Sequence, residues 1–370
     1  MHATIPQQEL AAAVTWAARQ LPTKPINPVL AGMRLHADDG QLRLSVWDGT
    51  TVAHASIDAD TTDPGIIVTP GSMFQQVVAA LRKSEVTLSD RTGELEVTTL
   101  GAQFALNVLD GRDYPKLPGI PDTLGSVEAS EFAAAFKRVK AAVDPKADGT
   151  FAGMSGVRVR IDGDTLALTA TDRYRIATAT IPWTAEQPGT AMGVIPGKAL
   201  ADNAGAFQGR LHLSLPADGT GVAALAGDGR QVSTTLIEPS LFPHKLDEIK
   251  LNVSGRIIAD AENLTEAVRA AMAVSEAGKP VWITASETGV SLRAGQGSRS
   301  VVEVDATYVG DLPEFEAAIN SVYLLDGLAP LTGLTHIDVT TPKTPAVIHN
   351  PDDPTYRYVV TPLRDPGKNA

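Results

Sequence analysis

The feature that most constrains this chain is a segment that recurs every 124 residues along its sequence. Residues 32–57 align without a gap with residues 156–181, and the same alternation begins again at residue 280. In each copy apolar and polar residues alternate, the pattern breaks at a turn rich in Gly, Asp or Glu, and the alternation resumes, which is typical of a half-buried β-hairpin. A register kept through three copies predicts three modules of one fold.

Each copy is also predicted to contain two helices. The first helix is indicated by apolar residues at helical spacing, which are Leu10, Val14 and Ala17 in the first copy, Phe132, Phe136 and Val139 in the second, and Leu264, Val268 and Met272 in the third. In the second copy Ser130 is the predicted N-cap, and in the third Gly278 is the predicted helix stop. Pro70 and Pro196 fit the first turn of two of the later helices.

Proline-bearing segments at residues 113–125 and 240–252 are the predicted boundaries between the modules. They divide the chain into three α+β modules at residues 1–122, 123–246 and 247–370. A chain of 370 residues is long enough for two or three domains, so this division agrees with its length.

The composition excludes several kinds of functional site. The chain has no cysteine, which excludes disulfides, thiolate metal sites and a cysteine nucleophile. Its seven histidines are scattered without metal-ligand spacing and are expected at the surface, so no metal and no other cofactor is expected. The sequence contains no signal peptide and no run of 18 uninterrupted apolar residues, so we expect a cytoplasmic protein without a membrane partner.

Asp172, Arg173, Tyr174 and Arg175 occupy the turn of the second hairpin and resemble an active site in composition. Asp48 stands at the same place in the first copy, which lacks the Arg-Tyr-Arg run, so Asp172 is predicted to cap the turn. A nucleotide-processing enzyme with a phosphate site in this turn is disfavoured, because the chain has no glycine-rich phosphate loop, no paired carboxylates at a repeated site and no metal cluster. No catalytic residue is therefore expected.

Four segments resemble one family, the bacterial DNA polymerase III β subunit or sliding clamp. ATDRYRIA at residues 170–177 is similar to its signature turn, TKPINPVLAGM at residues 23–33 to its N-terminal loop, GRDYPKLP at residues 111–118 to the end of its first domain, and YRYVVTPLR at residues 356–364 to its closing strand. The resemblance implies an α+β fold of three tandem clamp modules, closed as a head-to-tail dimeric ring of six modules. Helices would line a central hole, with antiparallel sheets outside.

The same resemblance implies a non-catalytic processivity factor that encircles duplex DNA without regard to sequence and raises the local concentration of polymerase. Its expected partners are duplex DNA, a second copy of the chain, a DNA polymerase III alpha-type subunit, the clamp loader and other proteins that carry clamp-binding peptide motifs. The net charge of −12 is compatible with this, because a topological tether does not need tight phosphate binding.

Three sets of site residues are implied by the resemblance. The wall of a peptide-binding pocket, in which Arg175 and the turn backbone hold the peptide over an apolar floor, would be formed by Met154, Thr171, Arg173, Tyr174, Arg175, Ile176, Pro243, Ala346, Val359, Thr361, Pro362, Leu363 and Arg364. The DNA-facing basic residues would be Lys24 in the N-terminal loop and, on the predicted helices, Arg82, Lys83, Lys137, Arg138, Lys140 and Lys198, unless these are solvated surface charges. The dimer interface would join Phe104 and Leu106 to Met272 and Ala273 of the other chain, unless these are ordinary core residues.

Two departures from the family pattern leave a second hypothesis open. Asp247 and Glu248 follow Pro243 where basic and apolar residues are usual, and Thr361 replaces a residue that is usually methionine. A tail at residues 365–370 is expected beside the pocket. The alternative is a specialised extra clamp copy, mobile-element-encoded or tolerant of a pocket-binding inhibitor. A monomeric three-module binding protein that never closes a ring also stays open.

Overall fold

A computed structural model describes residues 1–25, 27–91, 93–244, 246 and 252–364 of the chain. These residues form two compact units. The first unit contains Met1–Phe132 and Trp183–Leu236, and the second contains Ala133–Pro182 and the chain from Ile237 onward.

Each third of the described chain contains nine strands and two helices. Those of the first third are β1 (His2–Pro6), α1 (Gln7–Ala18), β2 (Gly32–Asp38), β3 (Gln41–Trp47), β4 (Thr51–Asp58), β5 (Asp60–Asp63), β6 (Gly65–Pro70), α2 (Gly71–Ala80), β7 (Glu85–Arg91), β8 (Glu94–Thr99) and β9 (Ala102–Asn107). Those of the second are β10 (Thr123–Glu128), α3 (Ala129–Val139), β11 (Gly156–Asp162), β12 (Thr165–Thr171), β13 (Arg175–Pro182), β14 (Thr184–Ala185), β15 (Ala191–Pro196), α4 (Gly197–Asn203), β16 (Arg210–Ser214), β17 (Val222–Gly227) and β18 (Arg230–Thr235). Those of the third are β19 (Gly255–Asp260), α5 (Ala261–Ala271), β20 (Pro280–Ser286), β21 (Gly289–Ala294), β22 (Ser300–Val304), β23 (Ala306–Gly310), β24 (Glu314–Asn320), α6 (Ser321–Leu328), β25 (Leu334–Val339), β26 (Ala346–Asn350) and β27 (Asp353–Val360).

The predicted repeat is confirmed by the positions of these strands. β11, β12 and β13 begin 124 residues after β2, β3 and β4, and β20 and β21 begin a further 124 residues along the chain. Alternating burial accompanies the register, since Leu42, Leu44, Leu166 and Leu168 are all fully buried. The period-2 pattern therefore located both the strands and their inward faces.

The predicted helices form, but two of their predicted ends are wrong. Ser130 is not an N-cap, because α3 already begins at Ala129, whose backbone N–H donates to the carbonyl of Gly209 at 2.8 Å. Gly278 does not end α5, because the helix stops at Ala271, whose carbonyl accepts a hydrogen bond from the Ser300 hydroxyl at 2.6 Å. In both cases a contact from a segment distant in sequence decides where the helix starts or stops.

Two of the antiparallel sheets join strands from different copies of the repeat. In the first unit one sheet has the order β5-β1-β7-β8-β9, and the other has the order β14-β10-β16-β17-β18-β4-β3-β2-β6. Within the second unit the orders are β11-β12-β13-β27-β26-β25-β19-β23 and β22-β21-β20-β24. Strand β4 of the first copy thus pairs with β18 of the second, and β13 of the second pairs with β27 of the third.

The expectation that the histidines lie at the surface is wrong for His336. This residue is buried in β25, which has neighbours on both sides, β19 and β26. Its ring meets that of His349 edge to face, with 5.5 Å between the ring centroids. Among the described residues, no helix is long and apolar enough to cross a membrane.

Candidate functional site

The turn between β12 and β13 is capped by Asp172, as predicted. Its Oδ1 accepts hydrogen bonds from the backbone N–H groups of Tyr174 and Arg175, both at 3.1 Å. The Thr171 hydroxyl donates to the carbonyl of Arg175 at 2.8 Å and accepts from the N–H of Arg173 at 3.3 Å. These bonds satisfy the N–H groups of the three residues that follow Asp172 and so hold the backbone of the turn.

Arg175 connects this turn to helix α6. Its Nε donates to Asp172 at 2.8 Å and its terminal nitrogen donates to Asp326 at 2.5 Å, while the guanidinium lies 4.2 Å from the centroid of the Tyr323 ring. Only 9 % of the side chain is exposed. Burial opposes its charge, but Tyr358, Asp326 and Asp172 raise the pKa of Arg175, so the guanidinium stays protonated. Because its Nε and one terminal nitrogen are engaged within the chain, Arg175 holds the turn in place.

A cavity of about 230 Å³ lies beside the turn, entirely within the second unit. Nine of the residues predicted for the pocket line it, and these are Met154, Thr171, Arg173, Tyr174, Arg175, Ile176, Pro243, Val359 and Thr361. The backbone N–H of Thr361 donates to the carbonyl of Tyr174 at 2.8 Å, which fixes the segment after β27 against the turn. Apolar residues form much of the lining, and Thr171 and Thr361 are among the others.

Four residues predicted for the pocket do not line this cavity. Ala346 is buried in β26 opposite Val360, and Pro362 is buried. Leu363 and Arg364 are exposed, and the backbone N–H of Leu363 donates to the carbonyl of Ala318 in β24 at 2.7 Å. The predicted acidic rim at Asp247 and Glu248 and the tail at residues 365–370 lie outside the described residues.

Two lining residues were missed by the sequence reasoning, Leu246 and Pro345. Leu246 follows Pro243 by three positions in the linker, and Pro345 directly precedes Ala346. An apolar residue or a proline next to a predicted pocket residue was the available signal in both cases.

The predicted DNA-facing residues are mostly exposed, namely Lys24, Arg82, Lys83, Lys137, Lys140 and Lys198. The placement of Arg82 and Lys83 on a helix is wrong, because α2 ends at Ala80 and Leu81 turns into an extended conformation that buries its side chain. Arg138 pairs with Asp353 at 3.0 Å, and Lys198 pairs with Asp202 one turn along α4 at 2.5 Å. The Lys198 pair is at the surface, and surface pairs of this kind contribute little to stability.

The predicted interface residues lie at or near the outer strands of two sheets. Phe104 and Leu106 belong to β9, the last strand of its sheet, where Phe104 is half-buried and Leu106 is already buried within the single chain. Met272 is half-buried and Ala273 is exposed in the 3-10 turn that follows α5. This turn contacts β22, the last strand of the other sheet.

Comparison with known proteins gives a consistent result along the whole chain. Models of the DNA polymerase III beta subunit match its N-terminal domain to residues 1–118, its central domain to residues 126–244 and its C-terminal domain to residues 246–364. The chain is 32% identical to the beta sliding clamp of Streptomyces coelicolor over 98% of this chain and 99% of that protein. It is 27% identical to the beta sliding clamp homolog GriR of Streptomyces muensis over 98% of this chain and 99% of that protein.

Solved structures show the same fold. The sliding clamp of Bacillus subtilis superimposes with a TM-score of 0.90 at 20% identity, covering 99% of both chains. A sliding clamp from Pseudomonas aeruginosa bound to griselimycin gives a TM-score of 0.89 at 21% identity, covering 99% of this chain and 100% of that one.

Proposed function

The chain belongs to the DNA polymerase III beta subunit family, and we propose that the cavity beside Arg175 is where this sliding clamp receives peptide segments of its partner proteins. The protein is a non-catalytic processivity factor of DNA replication. A clamp acts by tethering, because a polymerase held on a ring around DNA has a high effective concentration at the primer end.

The observation that carries the proposal is the cavity itself. It is preformed in the single chain and lined by apolar residues from the 3-10 turn Gly149–Ser155, strand β13 and strand β27. Arg175 and its two carboxylate partners hold this wall without the ligand, so a docking peptide has little ordering of the site to offset. A short peptide with leucine or phenylalanine side chains fits such a groove.

Two isoleucines of the same strand test this site. Ile176 lines the cavity, whereas Ile181 lies at the far end of β13, and both are half-buried. We expect Ile176→Ser to weaken binding of a leucine- and phenylalanine-bearing peptide about ten-fold, and Ile181→Ser to leave it unchanged, as measured by fluorescence anisotropy. Equal effects of the two variants would contradict the assignment.

For the assembly, three modules at residues 1–122, 123–246 and 247–370 close with a second copy into a cytoplasmic ring around duplex DNA. Helices face the DNA, and Lys24, Lys137, Lys140 and Lys198 supply a weak attraction that still allows sliding. The partners that bind the ring are a polymerase alpha-type subunit, the clamp loader and other proteins with clamp-binding motifs. Loader-dependent retention on circular DNA, lost when the DNA is linearised, is the expected result. Retention on both forms would indicate ordinary DNA affinity instead.

Ring closure proceeds head to tail, with β9 of one chain beside β22 of the next, because an outer strand offers unpaired backbone groups to a partner strand. Val301 on β22 and Val309 on β23 are both exposed valines of outer strands, at 69% and 57%. Val301→Glu is expected to shift sedimentation from the dimer to the 38.8 kDa chain, whereas Val309→Glu is the control that stays dimeric. A monomeric protein before any substitution would favour the open three-module alternative.

A specialised clamp copy is the second candidate function, and it is favoured by one observation. Thr361, a polar residue, lines the cavity at a position where a fully apolar side chain would bind leucine more tightly. Affinity for a clamp-motif peptide and for a pocket-binding inhibitor, measured beside a housekeeping clamp, tests this candidate. If both affinities equal those of the housekeeping clamp, the specialised copy is rejected and the replicative clamp is the remaining function.

A further inference from the structure

Arg173 adopts a backbone conformation that its side chain disfavours. Its φ is +79°, in the left-handed region where a Cβ crowds the backbone. The same turn in the first copy of the repeat has Gly49 at this position, with a φ of +102°. Glycine is therefore the residue best suited to this position of the turn, and an arginine there destabilises the folded state. Such backbone strain is typical of functional positions.

The side chain of Arg173 lies over an exposed aromatic surface. Its guanidinium is 4.6 Å from the centroid of the Phe151 ring and 5.5 Å from that of Tyr174. Phe151 is 46% exposed in the 3-10 turn Gly149–Ser155, and Tyr174 is 49% exposed. Phe151 does not line the cavity, so the pair of Arg173 and Phe151 extends the site beyond it.

Arg173 and Arg175 differ in whether their charge is paired. Arg175 is paired with Asp172 and Asp326, whereas no carboxylate of the described residues lies within ion-pair distance of Arg173, which is exposed. A guanidinium that lies over an aromatic ring still has an edge of N–H groups in its own plane, which a ligand can reach where the side chain is exposed, as that of Arg173 is. Such an edge is suited to two parallel hydrogen bonds with a carboxylate.

We propose that Arg173, held on Phe151, forms a carboxylate subsite beside the cavity that selects partner peptides with an acidic group next to their apolar anchor. The group is a Glu or Asp side chain or the peptide's own C-terminal carboxylate. The proposal rests on the proposed function, because it requires that a peptide occupies the cavity. The subsite explains why an arginine occupies the strained position 173, whereas the first copy of the repeat has glycine at the corresponding position 49.

The probe is a fluorescently labelled peptide with Leu-Ser-Leu-Phe as its apolar anchor. It is made with either Glu-Glu or Gln-Gln before the anchor, and with either a free or an amidated C-terminus, so that the two sources of carboxylate are separated. At low salt we expect one acidic form to bind about five-fold more tightly than its neutral counterpart. Arg173→Gln abolishes this ratio, Arg173→Lys keeps part of it, and Phe151→Leu reduces it.

Arg299 supplies a matched control, since it is exposed in the corresponding turn of the third copy. Arg299→Gln is expected to keep the five-fold ratio, and thermal unfolding confirms that each variant is folded. The subsite is overturned if wild-type protein binds acidic and neutral forms equally, or if the ratio survives Arg173→Gln. If neutral forms bind and Ile176→Ser removes that binding, only the subsite has failed; if no form binds, the peptide site has failed and the subsite with it.

Discussion

The hairpins β3–β4 and β12–β13 have the same arrangement of strands and turn, but they differ in the side chains of the turn, and the second hairpin lines the cavity described above. Their strands have equal lengths and lie 124 residues apart. Asp48 accepts hydrogen bonds from the N–H groups of Thr50 and Thr51 just as Asp172 does from Tyr174 and Arg175. The backbone of the turn is therefore common to both copies, and the difference lies in the side chains around it.

The last turn residue shows that difference most clearly. In the first hairpin Thr51 meets Thr234 of β18 through their hydroxyls at 2.9 Å, a small neutral contact that closes the gap between the two strands. In the second hairpin Arg175 takes the same place and reaches Asp326 and Tyr358. A repeat can thus keep one scaffold for stability while one of its copies acquires a binding site.

Removing the arginine at the last turn position is expected to have the largest effect. Arg175→Ala leaves Asp172 and Asp326 without their partner and should lower the free energy of unfolding by about 3 kcal/mol, compared with about 1 kcal/mol for Thr51→Ala. Urea-induced unfolding measures both variants. Equal losses would mean that the ion pairs of the second hairpin add no stability beyond that of the neutral contact.

A cross-strand pair gives the second prediction, through its pH dependence. Ser45 Oγ lies 2.8 Å from His54 Nδ1 in the first hairpin, where the second has Thr169 and Thr178. Burial, with a smaller contribution from Arg34, lowers the pKa of His54 to about 4.

Between pH 6.5 and pH 4 the unfolded chain therefore binds a proton at His54 that the folded chain does not bind. The contribution of neutral His54 to the free energy of unfolding is thus fully present above pH 6.5 and is lost as the pH falls towards 4. We expect the stability difference between pH 7 and pH 4.5 to be about 2 kcal/mol smaller in His54→Thr than in wild-type protein. Thr178→Ser is the control that keeps the wild-type dependence. An NMR titration of His54 with a midpoint near its ordinary value would contradict the prediction.

Substituting the two capping aspartates, Asp48 and Asp172, is expected to give a smaller difference in stability between the hairpins. Asn can still accept the backbone hydrogen bonds of the turn, so Asp48→Asn should cost about 0.5 kcal/mol. Asp172→Asn should cost about 1.5 kcal/mol, because it also removes the charge that Arg175 pairs with. Denaturation midpoints of the two variants test the ranking, and a larger loss for Asp48→Asn would reverse the comparison.

The smallest difference in stability between the two hairpins is expected at the left-handed position. Gly49→Ala should cost about 1 kcal/mol, because a Cβ strains the turn although no atom lies close to it. Arg173→Gly should change stability by less than about 0.5 kcal/mol, since relief of strain is offset by the freer unfolded chain and the lost contact with Phe151. A large loss in Arg173→Gly would show that the stacking on Phe151 is structural.

The sequence by itself determined the repeat, its strands and its capped turns. These follow from local rules, because an alternating pattern selects a strand and its buried face, and an aspartate after a strand caps the turn it begins. The family resemblance added nine of the residues that line the cavity.

Only the tertiary structure decided which distant residues complete each local pattern. Arg175 donates a hydrogen bond to Asp326, 151 positions away in the sequence, and Thr51 bonds with Thr234, 183 positions away. Helix α5 ends at Ala271, whose carbonyl accepts a hydrogen bond from the Ser300 hydroxyl. The sequence did not predict the bond of Arg175 to Asp326, nor the place of Leu246 and Pro345 in the cavity lining, because a side chain's partners depend on how strands from different copies of the repeat pair. The pairing of β13 with β27 buries the end of β13 that carries Arg175. Arg175 therefore supports the cavity wall from a buried position, which the sequence did not predict.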